Sequence, residues 1–378
     1  MKIYVYAICK DEKAFADRWM DSMSEADGVY VLDTGSQDGT PAALASRGAW
    51  VACRKVVPWR FDKARNLSLD LVPEDADLCV CTDLDEVFEK GWRKKLEQAA
   101  LTQSYPQYRC RFVWSHGEDG REGMVFWQNK IHRRHGFVWH YPVHEVLQWQ
   151  GEKEYALGDA VGVSLHHWPD SQKSRGQYLP LLELAAREEP EDPRCAHYLG
   201  REYMYQGDWH KAEEELLRHL ALPRSTWEAE RAASMRYLAR CCLETGRRKE
   251  ALRWFYRAVA EAPSLREGYV ECAWYFSQEE NWPGVLLMSQ SALALTQRDK
   301  TYINEDFAWG SVPWDLSALA FWHHLHHPSQ RHDFRIWAPL EVPRRHRKIR
   351  TRGALPHPAK QHQSCLLYTS GSERFPHR

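Results

Sequence analysis

The chain has 378 residues, with 51 Lys plus Arg against 52 Asp plus Glu, a formal net charge of -1 and 43% hydrophobic residues. At about 150 residues per domain this length predicts two or three domains, and the balanced charge excludes a nucleic-acid binder held by a net positive field. No apolar run is long enough to span a membrane and no basic leader precedes MKIYVYAIC, so the expectation is a soluble, unexported, cytoplasmic protein.

In chain order, four short apolar runs come first: Ile3 to Ile8, Val29 to Asp33, Ala49 to Val56 and Asp77 to Asp83. Helical spacing lies between them, at Phe15, Trp19 and Met23 and again at Leu67 and Leu71. Alternation of this kind predicts parallel strands covered on both faces, with ligands at the carboxyl ends of the strands. From Gln107 to His167 the texture becomes aromatic and alternating, which predicts an antiparallel subdomain covering the site.

Beyond Pro169 the pattern is helical. Leu199-Gly200, Tyr203, Gly207 and Ala212 have the offsets of a tetratricopeptide hairpin, and Leu238-Ala239, Gly246, Ala251, Ala258 and Pro263 repeat them. Ala239 to Ala273 is a step of 34 residues, while Gly200 to Ala239 is five longer and predicts a loop near Pro223 to Trp227. A third unit is degenerate, with Glu280 and Val285 at the Gly and Ala positions. A further helix starts at Trp314 to Trp322, and from there the chain turns basic and aperiodic: residues 323–378 hold eleven Lys plus Arg, three acids and nine histidines. Within it CLLYTS, Cys365 to Ser370, resembles a translated sequencing-library end, so the evolved reading frame is expected to stop near residues 322–330. The domains expected are therefore 1–170, 171–322 and a tail, 323–378. Ten cysteines without CxxC or finger spacing predict free thiols in a reducing compartment.

The polar residues closing the strands carry the chemistry. Asp83-Leu84-Asp85-Glu86 follows LCVC; in an extended segment Asp83 and Asp85 would point the same way and offer two carboxylates to a hard cation, Mn2+ or Mg2+. A bare acidic turn or helix cap is the alternative; the place after a hydrophobic strand favours the cation. Asp33 to Thr40, DTGSQDGT, closes the second run: Gly35 and Gly39 permit a tight path, Asp38 can cap the next helix, and Asp33 faces the ligand edge. Arg65 lies in PWRFDKARN, where a contact to base or diphosphate and a surface ion pair both remain open.

Taken together, ICKDE, VLDTGSQDGT, FDKARN and CTDLDE resemble, in order and spacing, the family-2 glycosyltransferases of GT-A fold over about residues 1–170. The resemblance implies an α/β GT-A domain with a mixed sheet, a uridine-linked or similar nucleotide-sugar donor, and a divalent metal. It implies nucleobase contacts at Asp33 and Arg65, a nucleoside pocket lined at Ile8 and Lys10, metal at Asp85, and ribose or metal at Asp83. It further implies inversion, which needs a general base. Val143-His144-Glu145 resembles the VHE segment of relatives that carry tetratricopeptide repeats, which puts the base at Glu145 and a positioning role, or mere packing, at His144. Asp119 and Glu122 are the next choices. The pair His166-His167 resembles the segment that completes the metal shell, with His166 preferred.

Lys130, His132 and Arg133 could neutralise phosphate or form a solvated cluster, and Trp114, Trp127 and Trp139 could stack on sugars or fill a core. The acceptor, a glycan, lipid or protein, stays open. Two other functions compete. A nucleotidyltransferase would show a glycine-rich basic loop where Cys9-Lys10-Asp11-Glu12 stands. A tetratricopeptide scaffold holding a protein partner, with an inactive transferase domain, is allowed by the repeats.

Overall fold

The structure is a computed structural model that describes residues 1–117, 120–169, 176, 178–299 and 301–326. Of the tail expected at 323–378, residues 323–326 are described; the rest of it and Asp119 lie outside the described residues. Among the described residues the chain forms two compact units, Met1–Leu199 with Asp299–Asn304, and Gly200–Arg298 with 305–326.

In the first unit β1 (Ile3–Cys9), β2 (Gly28–Asp33), β3 (Trp50–Cys53) and β4 (Leu78–Cys81) alternate with α1 (Lys13–Met23), α2 (Thr40–Ser46) and α3 (Phe61–Leu69). The four strands are parallel, in the order β3-β2-β1-β4. Six of the seven residues of β1 are buried, because helices cover both faces and leave no polar side. In α1, Ala16, Trp19, Met20 and Met23 form the buried stripe of an amphipathic helix.

The aromatic stretch differs from the expected separate cover. Short β5 (Glu86–Phe88) and α4 (Trp92–Thr102) lead to β6 (Gln107–Val113), β7 (Val125–His132) and β10 (Leu157–His167), and these strands extend the central sheet as β4-β7-β6-β10-β5. β7 is antiparallel to both neighbours, β10 runs parallel to β6, and β5 closes the edge antiparallel to β10. Among the described residues β8 (Phe137–His140) and β9 (Val146–Trp149) form a sheet of their own, an antiparallel pair. Phe137, Trp139 and Leu147 from that pair pack with Tyr6, Cys79 and Cys81. The fold class is the one expected: an α/β domain on a mixed sheet, followed by helical hairpins.

The helices after the sheet are α5 (Tyr178–Glu188), α6 (Pro193–Gln206), α7 (Trp209–Ala221), α8 (Glu228–Glu244), α9 (Arg248–Glu261), α10 (Arg266–Gln278), α11 (Trp282–Ala294), the short α12 (Asp306–Trp309) and α13 (Val312–His326). In the second unit the turns between paired helices sit at Gly207 (φ 78°), Gly246 (φ 77°) and Glu280 (φ 53°), so the degenerate position keeps the left-handed backbone without glycine. Ala212, Ala251 and Val285 follow and are fully buried. At Gly200 a Cβ would stand 2.8 Å from Leu216 Cγ and 3.1 Å from its backbone nitrogen, which is the close approach the small residue permits. α13 packs on α11, where His323 stacks on Trp282 with centroids 3.6 Å apart.

Nine cysteines are described, all free, and only Cys53 is exposed. Burial pushes the thiols of Cys79, Cys110 and Cys272 up to about 12 and that of Cys81 up to about 11.

Candidate active site

The carboxyl ends of β1, β2 and β4 bring Cys9, Asp33 and the acidic turn to one edge of the sheet. Asp33 is buried and held by its own turn. It accepts from Gly35 N–H (3.1 Å), Ser36 N–H (3.1 Å), the Ser36 hydroxyl and the Cys9 thiol. Asp38 does not cap α2 from the N-cap position, which Gly39 (φ 88°) occupies, but its carboxylate takes the N–H groups of Thr40 and Lys13, both at 2.9 Å. It thereby ties together the starts of α2 and α1. Ile8 packs with Leu32 and Ala64, and Lys10 is exposed.

Asp83 to Glu86 is not extended. Glu86 N–H donates to Asp83 O (3.0 Å) and closes a turn, with Leu84 buried inside it. The two aspartates therefore meet different partners. Asp83, 16% exposed, accepts Arg65 Nη2 at 2.5 Å and has Lys130 Nζ at 3.8 Å. Two protein cations therefore face Asp83. Asp85 is buried beside His167, Oδ2 to Nε2 3.4 Å.

The histidine pair is resolved by strand parity. Successive residues of β10 face opposite ways, so His167 turns to Asp85 while His166 turns to Glu89 (3.2 Å) and to His116 Nε2 (3.1 Å). His167, not the favoured His166, is the ring beside the acidic turn. It stacks on Trp114 at 4.3 Å. Burial acts to lower its proton affinity and the Asp85 carboxylate outweighs that, so the net direction is up. Its Nε2 is buried and has Asp85 Oδ2 at 3.4 Å without an aligned hydrogen bond between them. A buried imidazole nitrogen beside a carboxylate is the donor set that a divalent cation fits.

Arg65, wholly buried in α3, joins two of the expected site residues: Nε donates to Glu145 Oε1 (3.0 Å) and Nη2 to Asp83, and the guanidinium lies 5.7 Å over Trp139. It is thus no surface ion pair. Glu145 is buried too, and burial raises its proton affinity against the pull of Arg65. His144 has a left-handed backbone (φ 53°) and stacks on Tyr198 at 4.4 Å, a packed environment. Glu122 is ion-paired to Arg111 (2.7 Å).

Lys130 and His132 are not a solvated cluster. Lys130 is buried against Glu86 (2.8 and 3.0 Å), whose carboxylate, with that of Asp83, holds it protonated against burial. His132, between Tyr6 OH and Arg133 O (both 2.7 Å), is pushed down to about 4 by burial and is neutral. Arg133 is exposed and reaches Ser104. Trp139 donates to Tyr6 OH (2.8 Å) in the core, Arg109 lies 5.6 Å over Trp127, and Trp114 alone of the three borders the Asp85–His167 pair. Sequence reasoning missed Glu86 as a partner; its place in DLDE was the signal.

No family model and no curated protein matches the chain. Among solved structures, glucosyl-3-phosphoglycerate synthase from Mycobacterium tuberculosis, in complex with Mg2+ and uridine diphosphate, is 24% identical over 29% of this chain and 43% of that one, with a TM-score of 0.26. MamA is 20% identical over 31% of this chain and 64% of that one, with a TM-score of 0.26. PilF of Pseudomonas aeruginosa is 14% identical over 39% and 67%, with a TM-score of 0.29. The chain spans less than half the length of the synthase it is similar to, and each likeness covers only a part of this chain.

Proposed function

We propose that the sheet domain is a divalent-cation-dependent glycosyltransferase that moves a sugar from a nucleotide-sugar, of the uridine-linked kind, to an acceptor hydroxyl. The observation that carries this reading is the buried His167 Nε2 facing Asp85 Oδ2 at 3.4 Å, beside the carboxyl ends of β4 and β10 in the mixed sheet. Charge supports it. Asp83, Glu86 and Glu145 take up Arg65 and Lys130, and the partner of Asp85 is the His167 ring rather than a fixed cation.

Asp85 and His167 would hold the cation. When bound, it stabilises charge on the departing diphosphate. In the transfer the acceptor oxygen bonds to the anomeric carbon as the bond to phosphate breaks, the electron pair leaves with the diphosphate, and the hydroxyl proton passes to a base. Asp33 and the β1 end at Ile8 and Lys10 are proposed to border the nucleoside. Arg65 acts from within, orienting Asp83. Glu145 enters this reading through Arg65, as the carboxylate that aims the guanidinium, and not as the base; His144 is a packing residue.

The test is hydrolysis of a panel of nucleotide-sugars by the full chain with Mn2+. Turnover that chelator removes and Asp85→Ala abolishes is the expected result. A parent protein that neither binds uridine diphosphate with Mn2+ nor hydrolyses any donor leaves the tetratricopeptide scaffold as the reading.

A further inference from the structure

Resting on the reading of Asp85 and His167 as a cation site, we propose that Glu86 and Lys130 are a positioning pair that fixes the acidic turn so that these two donors meet. Glu86 stands next to both of them. It follows Asp85 in sequence, and across the sheet it is the register partner of His167, β5 against β10. Its Oε2 accepts Asp83 N–H (2.9 Å), the first amide of the turn. Both its oxygens accept from Lys130 Nζ, which also approaches Asp83 Oδ2 (3.8 Å) and lies 5.8 Å over the Phe112 ring. Lys130 comes from β7, in the middle of the sheet, so the pair anchors an edge turn to the most constrained part of the domain.

Both side chains are essentially closed to solvent, at 2% and 1% exposure. Neither can touch a substrate, so any effect they have on ligands passes through the turn. Nor does stability explain why they are charged, since a well-packed apolar pair of similar volume is often as stable as a buried ion pair. What an apolar pair cannot supply is direction. The ammonium fixes where the Glu86 carboxylate lies, and the carboxylate fixes the Asp83 amide and with it the path of the chain through Asp85. Partners that orient metal ligands in this way are typically worth about 10- to 100-fold in metal affinity.

The experiment is Mn2+ binding to the full chain, read by electron paramagnetic resonance titration without nucleotide or sugar, alongside thermal unfolding. The double variant Lys130→Met, Glu86→Leu removes both charges and the acceptor of the Asp83 amide at nearly constant volume. Binding at least about tenfold weaker than the parent, with an unfolding midpoint near the parent's, is the expected outcome. Should that variant not fold, Glu86→Gln alone carries the test: it keeps an acceptor for the amide and loses the charge, and about tenfold weaker binding is expected, the low end of that range. A folded variant that binds Mn2+ within twofold of the parent overturns the positioning role and leaves the cation site standing. A parent that binds no Mn2+ overturns both, which separates the two failures.

Discussion

The acidic turn of the sheet domain and the ion cluster of the helical unit use the same kinds of side chain with different results. In the helical unit Arg236 donates to Glu271 (2.7 Å) and pairs with Glu305 (2.8 Å), Arg240 reaches the same two carboxylates, and Glu267 accepts Glu305 N–H (2.9 Å) and Trp309 Nε1 (3.0 Å). Glu213 and Glu250 likewise share Arg247. There the carboxylates are spread over several elements, and arginines from neighbouring helices reach them, so the cluster fastens one element to another. In the sheet domain three acids fall within four residues of one turn. The cations available, from α3 and β7, are used by Asp83, Glu86 and Glu145, and Asp85 is left to a histidine. Crowding acids into one turn is what leaves a ligand over.

That contrast can be broken at its strongest point by Asp85→Asn. Cation-dependent donor turnover should fall by at least about a thousandfold, the loss of about 4 kcal/mol or more of charge stabilisation. Glu271→Gln should leave turnover intact and lower the unfolding midpoint. Equal effects on turnover would make the two clusters alike.

Next in size is Arg65→Met, which leaves Glu145 and Asp83 without their guanidinium. Urea unfolding should show a loss of about 3–5 kcal/mol, and adding Glu145→Leu should recover part of it, because the cost is that of an unpaired buried charge. No recovery would mean that Arg65 stabilises by packing on Trp139 instead. Smaller still is Gly200→Ala in the helical unit. The new Cβ meets the Leu216 backbone as well as its side chain, so a rotamer change cannot relieve it, and about 1–3 kcal/mol should be lost. The smallest effect expected is favourable: Glu280→Gly relieves a left-handed glutamate and should raise stability by about 1 kcal/mol or less, as the glycine's own chain entropy offsets part of the gain.

The features legible in the sequence were those written locally. The runs Ile3 to Ile8, Val29 to Asp33 and Asp77 to Asp83 contain β1, β2 and β4 because apolar residues cluster in them, and the repeat turns at Gly207 and Gly246 announce themselves by glycine. What could not be read depends on partners far along the chain or on parity. Whether His166 or His167 faces Asp85 turns on a single residue of register, and a slip of one exchanges the faces of β10. Lys130 and Glu86 are 44 residues apart, and only the insertion of β7 between β4 and β6 brings them together. The same insertion made the aromatic stretch part of the main sheet. Asp83 and Asp85 were read as extended, and the 83–86 hydrogen bond shows why parity did not apply there.

The distribution of thiols has a practical consequence. Cys53 alone is open among the described cysteines, while Cys9, Cys79, Cys81 and Cys110 lie inside the sheet unit and Cys241, Cys242 and Cys272 inside the helical one. Since the thiolate is the form that reacts, and burial both hides these sulfurs and suppresses their ionisation, the folded chain should consume an alkylating reagent quickly at Cys53 and slowly at the others. Each slow site then becomes a clock for the opening that exposes it. Mass spectrometry of timed labelling, with the sheet cysteines and the helical cysteines counted separately, would give the opening free energy of each unit in one experiment on unmodified protein, and equal rates in both sets would mean that the units open together.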